Sequence, residues 1–142
     1  MNLKVKKLKE NAKLPTHGHS GDAGIDFYAT EDVLFKAGAQ ARVPTGIAIE
    51  IPEGCGGFIW DKSSISFGHG LKVMGGVIDS GYRGEIVMSL INLSNQDFVL
   101  KEGHKVAQMI IQKFENCDIL EVEELSSGTE RGEGREGSTG HK

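Results

Sequence analysis

One carboxylate, Asp79, lies in a segment whose residue types suit chemistry on a bound ligand. It follows an apolar pair and precedes Ser80-Gly81 and a lone aromatic residue, Tyr82. A carboxylate held at a turn can act as a general base that takes a proton from an attacking water. Asp beside Ser and Gly is also an ordinary turn former, because its side chain accepts bonds from nearby backbone amides. The segment alone favours the turn former.

The run from Gly75 to Asn92 predicts a β-hairpin around this carboxylate. An apolar lead-in, a Ser-Gly turn and a second apolar run from Ile86 to Leu93 follow one another, and Gly adopts positive φ without steric cost. The hairpin would hold Asp79 at its turn with Tyr82 a few residues away.

Composition limits the class of protein. The chain has 142 residues, 38% hydrophobic and 25% charged, with a formal net charge of -4, which fits one domain with its own core. No apolar run approaches the ~20 residues of a membrane span, and no apolar stretch follows the basic start to form a secretory signal. The negative charge argues against non-specific nucleic-acid binding. We expect a cytoplasmic protein that binds neither membrane nor nucleic acid.

Cysteine and histidine give no metal signature. Cys55 and Cys117 lie outside any CxxC pair, which fits a reducing compartment. His17 and His19 have the spacing of a metal-binding pair, but no third ligand is close in sequence. A solvated loop is therefore favoured there.

The pattern of apolar residues predicts an all-β fold. Twenty glycines and 6% aromatic residues favour many tight turns between strands. Strands are predicted near residues 3–5, 25–29, 43–52, 58–60, 98–100, 104–114 and 118–125, the last of which would close the core. The run 104–114 also fits an amphipathic helix, but its position directly after Gly103 in a series of strands favours a strand. Residues 61–70 are polar and Gly-rich and predict a loop.

The C-terminal residues 126–142 differ from the rest of the chain. They contain five glycines and no apolar side chain, which predicts a β domain over 1–125 and an arm over 126–142 that does not order by itself. Gly132 and Gly137, followed by Ser138 and Thr139, have the spacing of a phosphate-binding loop. The Lys of a P-loop is missing, so a P-loop NTPase is excluded, but such an arm could fold over a polyphosphate.

Five segments, taken in order, resemble the five motifs of the trimeric dUTP pyrophosphatase (dUTPase) family. They are AGIDFYA (23–29), DKSSIS (61–66), GGVIDSGYRGEI (75–86), GHKVAQMI (103–110) and RGEGREGSTG (131–140). The resemblance implies a jelly-roll-like β subunit, a homotrimer with active sites where subunits meet, and an arm that closes a site. It also implies hydrolysis of dUTP to dUMP and pyrophosphate, in which water attacks the α-phosphorus and Mg²⁺ is held on the triphosphate. Such an activity removes dUTP from the nucleotide pool and supplies dUMP.

The resemblance assigns a role to each site residue. Asp79 would be the general base, and Tyr82 would lie under the deoxyribose and exclude a 2′-hydroxyl. Main-chain groups around Gly76, Val77, Ile78 and Val87 would select uracil. Lys62, Ser63, Ser64 and Gln108 would hold the phosphates, while Arg131, Ser138 and Thr139 of the arm would reach the γ-phosphate. Asp26 would contact the waters of Mg²⁺, since this ion keeps several waters in proteins.

The chain departs from the family pattern at four points. Lys62 replaces an Arg, which loses the bidentate fork, and His104-Lys105 replaces an Asp-Arg pair, which leaves an ion pair there open. Gly81 stands where Asp is common. In the arm, Arg135-Glu136 replaces the usual Gly-Phe, so either Arg135 stacks on the base or the arm closes without stacking and nucleotide affinity falls.

Three other functions fit parts of the sequence. A dCTP deaminase resembles this fold, but DSGYRGE and the arm favour the pyrophosphatase. A non-catalytic dUTP-binding regulatory relative would not need a general base at Asp79. A structural β module explains the strands but none of the five motifs.

Overall fold

The chain folds almost entirely into β-strands. The computed structural model describes residues 1–129 and 132–133, which contain eleven strands and one short helix. The strands are β1 Lys4–Lys7, β2 Thr16–His17, β3 Ile25–Tyr28, β4 Val33–Phe35, β5 Gln40–Glu50, β6 Cys55–Asp61, β7 Leu71–Val73, β8 Val77–Ile78, β9 Glu85–Asn92, β10 Phe98–Leu100 and β11 Lys105–Lys113, and the helix is α1, Ser63–His69. The predicted all-β class is confirmed.

Two larger sheets and one strand pair make up the fold. The sheets have the strand orders β1-β5-β9-β7 and β2-β3-β11-β6-β8, and β10 pairs with β4. The pairings are antiparallel. Strands next to one another in sequence, such as β5 and β6, belong to different sheets. The predicted jelly-roll-like arrangement is therefore confirmed.

One hydrophobic core joins the two larger sheets. Ile47 and Met88 from the first sheet and Phe27 and Met109 from the second are at most 1% exposed, and all four belong to a single buried cluster. The predicted strand 43–52 is confirmed as β5. Its residues Val43, Ile47 and Ile49 are buried together, because alternate residues point to the same side of a strand. The predicted strands at 3–5, 25–29, 58–60 and 98–100 are confirmed as β1, β3, part of β6 and β10. The run 104–114 is a strand and not a helix, since β11 pairs with β6 from Ala107 to Lys113.

The loop predicted over residues 61–70 contains a helix instead. Helix α1 begins after Lys62, whose backbone is extended, and ends at Gly70, which adopts φ 71°. The Gly70 N–H donates to the carbonyls of Ile65 and Ser66, a common way to close a helix with glycine. Ile65 is the buried residue of α1. One apolar anchor in a polar Gly-rich segment is too weak a periodic signal to predict this helix.

The prediction of a hairpin over Gly75–Asn92 is wrong, because the two strands that the structure describes there do not pair with each other. Strand β8 pairs with β6, with Ile78 opposite Gly57, whereas β9 pairs with β5 and β7. The predicted tight turn does form, since the Tyr82 N–H donates to the Asp79 carbonyl at 3.0 Å. Two apolar runs around a turn have the same pattern whether the chain folds back on itself or crosses to another sheet. Here it crosses.

The strand predicted at 118–125 is also wrong. The structure assigns no strand to these residues, and they are exposed; Ile119 is 100% exposed, and Leu120 and Leu125 are 80% and 86% exposed. Alternating apolar residues indicate an apolar face, but not whether the same chain covers that face. In the described part of the chain, no helix is long and apolar enough to span a membrane.

Candidate active site

A cleft of about 470 Å³ lies beside β3, β11 and the end of β6. It is lined by Gly18, Asp22, Ala23, Gly24, Asp26, Trp60, Asp61, Lys62, Gln108 and Ile110. Three residues predicted from separate motifs, Asp26, Lys62 and Gln108, meet here. Strand register explains part of this, because Gln108 on β11 pairs with Asp26 on β3 and with Trp60 on β6.

The centre of the cleft wall is a buried carboxylate between two ammonium groups. Asp26 is 1% exposed. Lys62 Nζ lies 2.8 Å from its Oδ1, and Lys105 Nζ lies 2.7 Å from its Oδ2. Within the described residues, neither oxygen has a well-oriented hydrogen-bond donor in addition. The two lysines are therefore what stabilises this buried charge.

The protonation states of this group follow from the same contacts. Burial opposes ionisation of Asp26, but the contacts with Lys105 and Lys62 outweigh it and hold the pKa of Asp26 below its ordinary value. Asp26 in turn raises the pKa of Lys105. Two ammonium groups and one carboxylate give this cluster of Asp26, Lys62 and Lys105 one net positive charge. Such a cluster suits an anionic ligand.

The other two carboxylates that line the cleft have local partners. Asp61 accepts the Val73 N–H at 2.7 Å and pairs with Lys72 at 2.8 Å. Asp22 accepts the His19 N–H at 2.8 Å. Both carboxylates are therefore held by neighbouring loop and strand residues.

Gln108 is positioned by a glycine that leaves room for it. Its Nε2 donates to the Asp61 carbonyl at 2.8 Å. A Cβ at Gly24 would collide with the Gln108 side-chain amide and approach its Cδ to 3.0 Å. Gly24 therefore keeps the Gln108 side chain against β6.

Ser63 and Ser64 form the exposed first turn of α1, next to Lys62. Neither hydroxyl is hydrogen bonded within the described residues, and no side chain caps the helix. Both serines are therefore accessible beside the cleft, although neither lines it.

The predicted general base, Asp79, and the predicted sugar-contacting residue, Tyr82, lie at the turn after β8. Asp79 is exposed, and Tyr82 is 44% exposed. The Tyr82 hydroxyl donates to the Glu85 carbonyl at 3.0 Å, and its ring leaves no room for a Cβ at Gly84. The Tyr82 ring is thus fixed from two sides while Asp79 faces solvent. Of the predicted uracil contacts, Val77 and Val87 are 69% and 40% exposed, and the Gly76 carbonyl accepts the Ile59 N–H at 2.7 Å.

This turn and the cleft are separated along β6. Val77 pairs with Phe58 and Ile78 with Gly57, so the chain approaches Asp79 while moving away from Lys62. Gly57 and Lys62 are five residues apart, which is about 16 Å of extended strand. The cleft lining includes no residue of the turn. In one copy of the chain, the cleft and the turn that contains Asp79 are therefore separate.

The donor set around Asp26 does not suit a magnesium ion or its waters. Both carboxylate oxygens face lysine ammonium groups, which repel a cation. Within the described residues, no group of three or more His, Cys, Asp or Glu side chains could hold a metal. The four predicted residues of the arm, Arg131, Arg135, Ser138 and Thr139, lie outside the described residues.

Two residues, one that pairs with Asp26 and one that lines the cleft, were not identified from the sequence. Lys105 forms the ion pair that the pattern left open, but with Asp26. Trp60, the only tryptophan of the chain, is 56% exposed and lines the cleft. Its position two residues before Lys62, whose backbone is also extended, was the available signal, since alternate residues of an extended chain point to the same side.

Comparisons with known proteins agree on one family. The dUTPase family model matches residues 10–140. A deoxyuridine 5'-triphosphate nucleotidohydrolase of Clostridium kluyveri is 44% identical over 142 residues, covering 99% of each chain. A variant of the dUTPase of Staphylococcus bacteriophage 80alpha, solved with dUpNHpp, superimposes with a TM-score of 0.92 at 28% identity over 99% of each chain. A variant of the dUTPase of phage phi11 of S. aureus, described with a structural Mg(II) ion, superimposes with a TM-score of 0.81 at 27% identity, covering 87% of this chain and 98% of that one.

Proposed function

The chain belongs to the dUTPase family, and we propose how its residues hydrolyse dUTP to dUMP and pyrophosphate. The cleft supports the proposal, because Asp26, Lys62 and Gln108 from three motifs meet there and Lys105 gives the ionic cluster one net positive charge. A local cationic cluster in a chain with a net charge of -4 is what a triphosphate site requires.

The triphosphate binds in the cleft, with Lys62 and Gln108 on its wall and the hydroxyls of Ser63 and Ser64 beside it. The substrate is the magnesium complex of dUTP, in which the metal neutralises phosphate charge. Lys62 and the two hydroxyls orient the α-phosphorus for attack. Orientation of reacting groups is a large part of catalysis in phosphoryl transfer.

Asp79 acts as the general base. Its exposed carboxylate orients one water and accepts a proton from it while the water oxygen bonds to the α-phosphorus. The bond from that phosphorus to the bridging oxygen breaks, and pyrophosphate leaves. The Tyr82 ring, fixed against Gly84, lies under the deoxyribose and excludes a 2′-hydroxyl. Main-chain groups of Gly76, Val77, Ile78 and Val87 bind the uracil edge, where an unpaired buried polar group would cost ~1–3 kcal/mol.

A homotrimer completes each site by joining the turn of one copy to the cleft of another. The separation of about 16 Å between Gly57 and Lys62 along β6 supports a shared site. The exposed apolar side chains of 118–125, including Ile119 and Leu120, support burial against another copy. Arg131, Ser138 and Thr139 of the arm then bind the γ-phosphate. The unpaired cysteines, Cys55 and Cys117, fit the cytoplasmic location that we propose.

One assay tests this function. Pyrophosphate and ammonia release are measured from dUTP, dCTP, dTTP and UTP in the presence of Mg²⁺. We expect pyrophosphate from dUTP, little from the other three, and no ammonia. Ammonia from dCTP would indicate a deaminase, and binding of dUTP without any turnover would indicate a regulatory relative.

A further inference from the structure

The ion pairs of Asp26 show that this carboxylate binds two lysine ammonium groups. It is 1% exposed, so it cannot reach a ligand without displacing the ammonium groups that cover it. Lys62, by contrast, keeps 22% of its side chain exposed and lines the cleft. The group that meets a ligand here is therefore the lysine.

Lys105 explains how the cluster stays cationic. If Lys62 alone paired with Asp26, the two charges would cancel and the cluster would be neutral. Lys105, 2.7 Å from the second carboxylate oxygen, supplies the additional charge. It does not line the cleft and so acts through Asp26.

We propose, on the basis of the function above, that Asp26 is a positioning residue: it fixes the Lys62 ammonium at the cleft wall, and Lys105 offsets its charge. The phosphate chain then meets a cationic site that exists before any metal arrives. Asp26 does not act through the waters of a magnesium ion.

A charge-balanced pair of substitutions separates positioning from charge. Asp26→Asn with Lys105→Gln keeps the net charge of the cluster at one positive unit but removes what holds Lys62. Asp32→Asn with Lys101→Gln makes the same changes in an exposed Lys–Asp pair of 2.7 Å. Affinity for the non-hydrolysable analogue dUpNHpp is measured in EDTA and again with Mg²⁺, from the fluorescence of Trp60, which lines the cleft.

We expect the Asp26/Lys105 variant to bind dUpNHpp about tenfold more weakly in EDTA, the change expected from losing one well-placed charge. The gain in affinity on adding Mg²⁺ stays at its wild-type value, and the Asp32/Lys101 control changes neither quantity. Adding Lys62→Gln costs much less affinity in the Asp26/Lys105 variant than in wild type, since Lys62 is already misplaced there.

Unchanged affinity in EDTA would overturn the inference. So would a loss of the Mg²⁺ gain by about tenfold or more, which is what removing an outer partner of a metal causes. These titrations need no turnover. A wild-type protein that binds dUpNHpp without releasing pyrophosphate from dUTP would contradict the proposed function. The binding titrations would still test the role of Asp26.

Discussion

Asp79 and Lys62 lie toward opposite ends of β6. Ile78, next to Asp79, pairs with Gly57, whereas Lys62 follows Asp61 at the far end of the strand. The strand between them spans about 16 Å. Water attack on an α-phosphorus needs its general base within hydrogen-bond reach of that water. We therefore propose that the general base and the phosphate site that meet in one reaction come from two copies of the chain.

Removing the base should stop chemistry and preserve binding. We expect Asp79→Asn to lower kcat by ~10²–10⁴-fold, the usual contribution of a general base, and to leave the affinity for dUpNHpp within a few-fold. Steady-state pyrophosphate release and binding titration measure the two effects. Glu53→Gln, the same change in another exposed turn, is the control. A variant that keeps most of its activity would show that the base lies elsewhere.

We propose that discrimination against a 2′-hydroxyl depends on the space that Gly84 leaves for Tyr82. A Cβ at Gly84 would lie 2.6 Å from the Tyr82 Cζ, so Gly84→Ala should displace the ring. We expect the ratio of kcat/KM for dUTP over UTP to fall by roughly tenfold. Gly81→Ala is the matched control, because nothing lies within 4 Å of a Cβ there. An unchanged ratio would show that Tyr82 does not exclude the 2′-hydroxyl.

Gly24 should control phosphate binding through Gln108. Gly24→Ala places a Cβ 3.0 Å from the Gln108 Cδ and pushes that side chain off β6. We expect the KM for dUTP to rise by about tenfold with a smaller change in kcat, the pattern of a lost ground-state contact. Gly68→Ala, with open space around its Cβ, should change neither constant. A fall in kcat without a change in KM would contradict this account of Gln108.

The stability contributed by Asp26 should disappear in acid. The pKa of Asp26 is below the 3.8 of an unperturbed carboxyl, because Lys105 and Lys62 outweigh burial. Such a group contributes its full stability above the unfolded pKa and loses it as the pH falls through the folded one. The difference in unfolding free energy between wild type and Asp26→Asn should stay constant from neutral pH to about pH 5 and shrink below 3.8. Urea unfolding at several pH values measures it, and a difference that grows in acid would contradict the ion pairs.

The sequence predicted the strands in which apolar and polar residues alternate regularly. β5 is the best case, since Val43, Ile47 and Ile49 indicate one buried face whatever the partner strand is. The path after Ile78 was not predictable in this way, because a turn between two apolar runs does not specify which strand each run pairs with. Residues 118–125 show the same limit, as their apolar face has no cover within the described part of one copy.

The site was predicted residue by residue from motifs, but its ionic contacts were not. Asp26, Lys62 and Lys105 belong to three motifs, and only the register of β3, β11 and β6 brings them together. The burial that turns Asp26 into an anchor for lysines depends on that packing. The pattern of residue types along one segment shows neither the strand register nor the burial of Asp26.

Subunit complementation tests the shared site most directly. A chain with Asp79→Asn keeps an intact cleft, and a chain with Lys62→Gln keeps an intact turn. When the two are assembled together in equal amounts, we expect about a quarter of the sites to combine a wild-type turn with a wild-type cleft, so dUTP hydrolysis returns to roughly a quarter of the wild-type rate per chain. A mixture no more active than the sum of the two separate variants would contradict the shared site, since the turn and the cleft of each site would then come from the same copy.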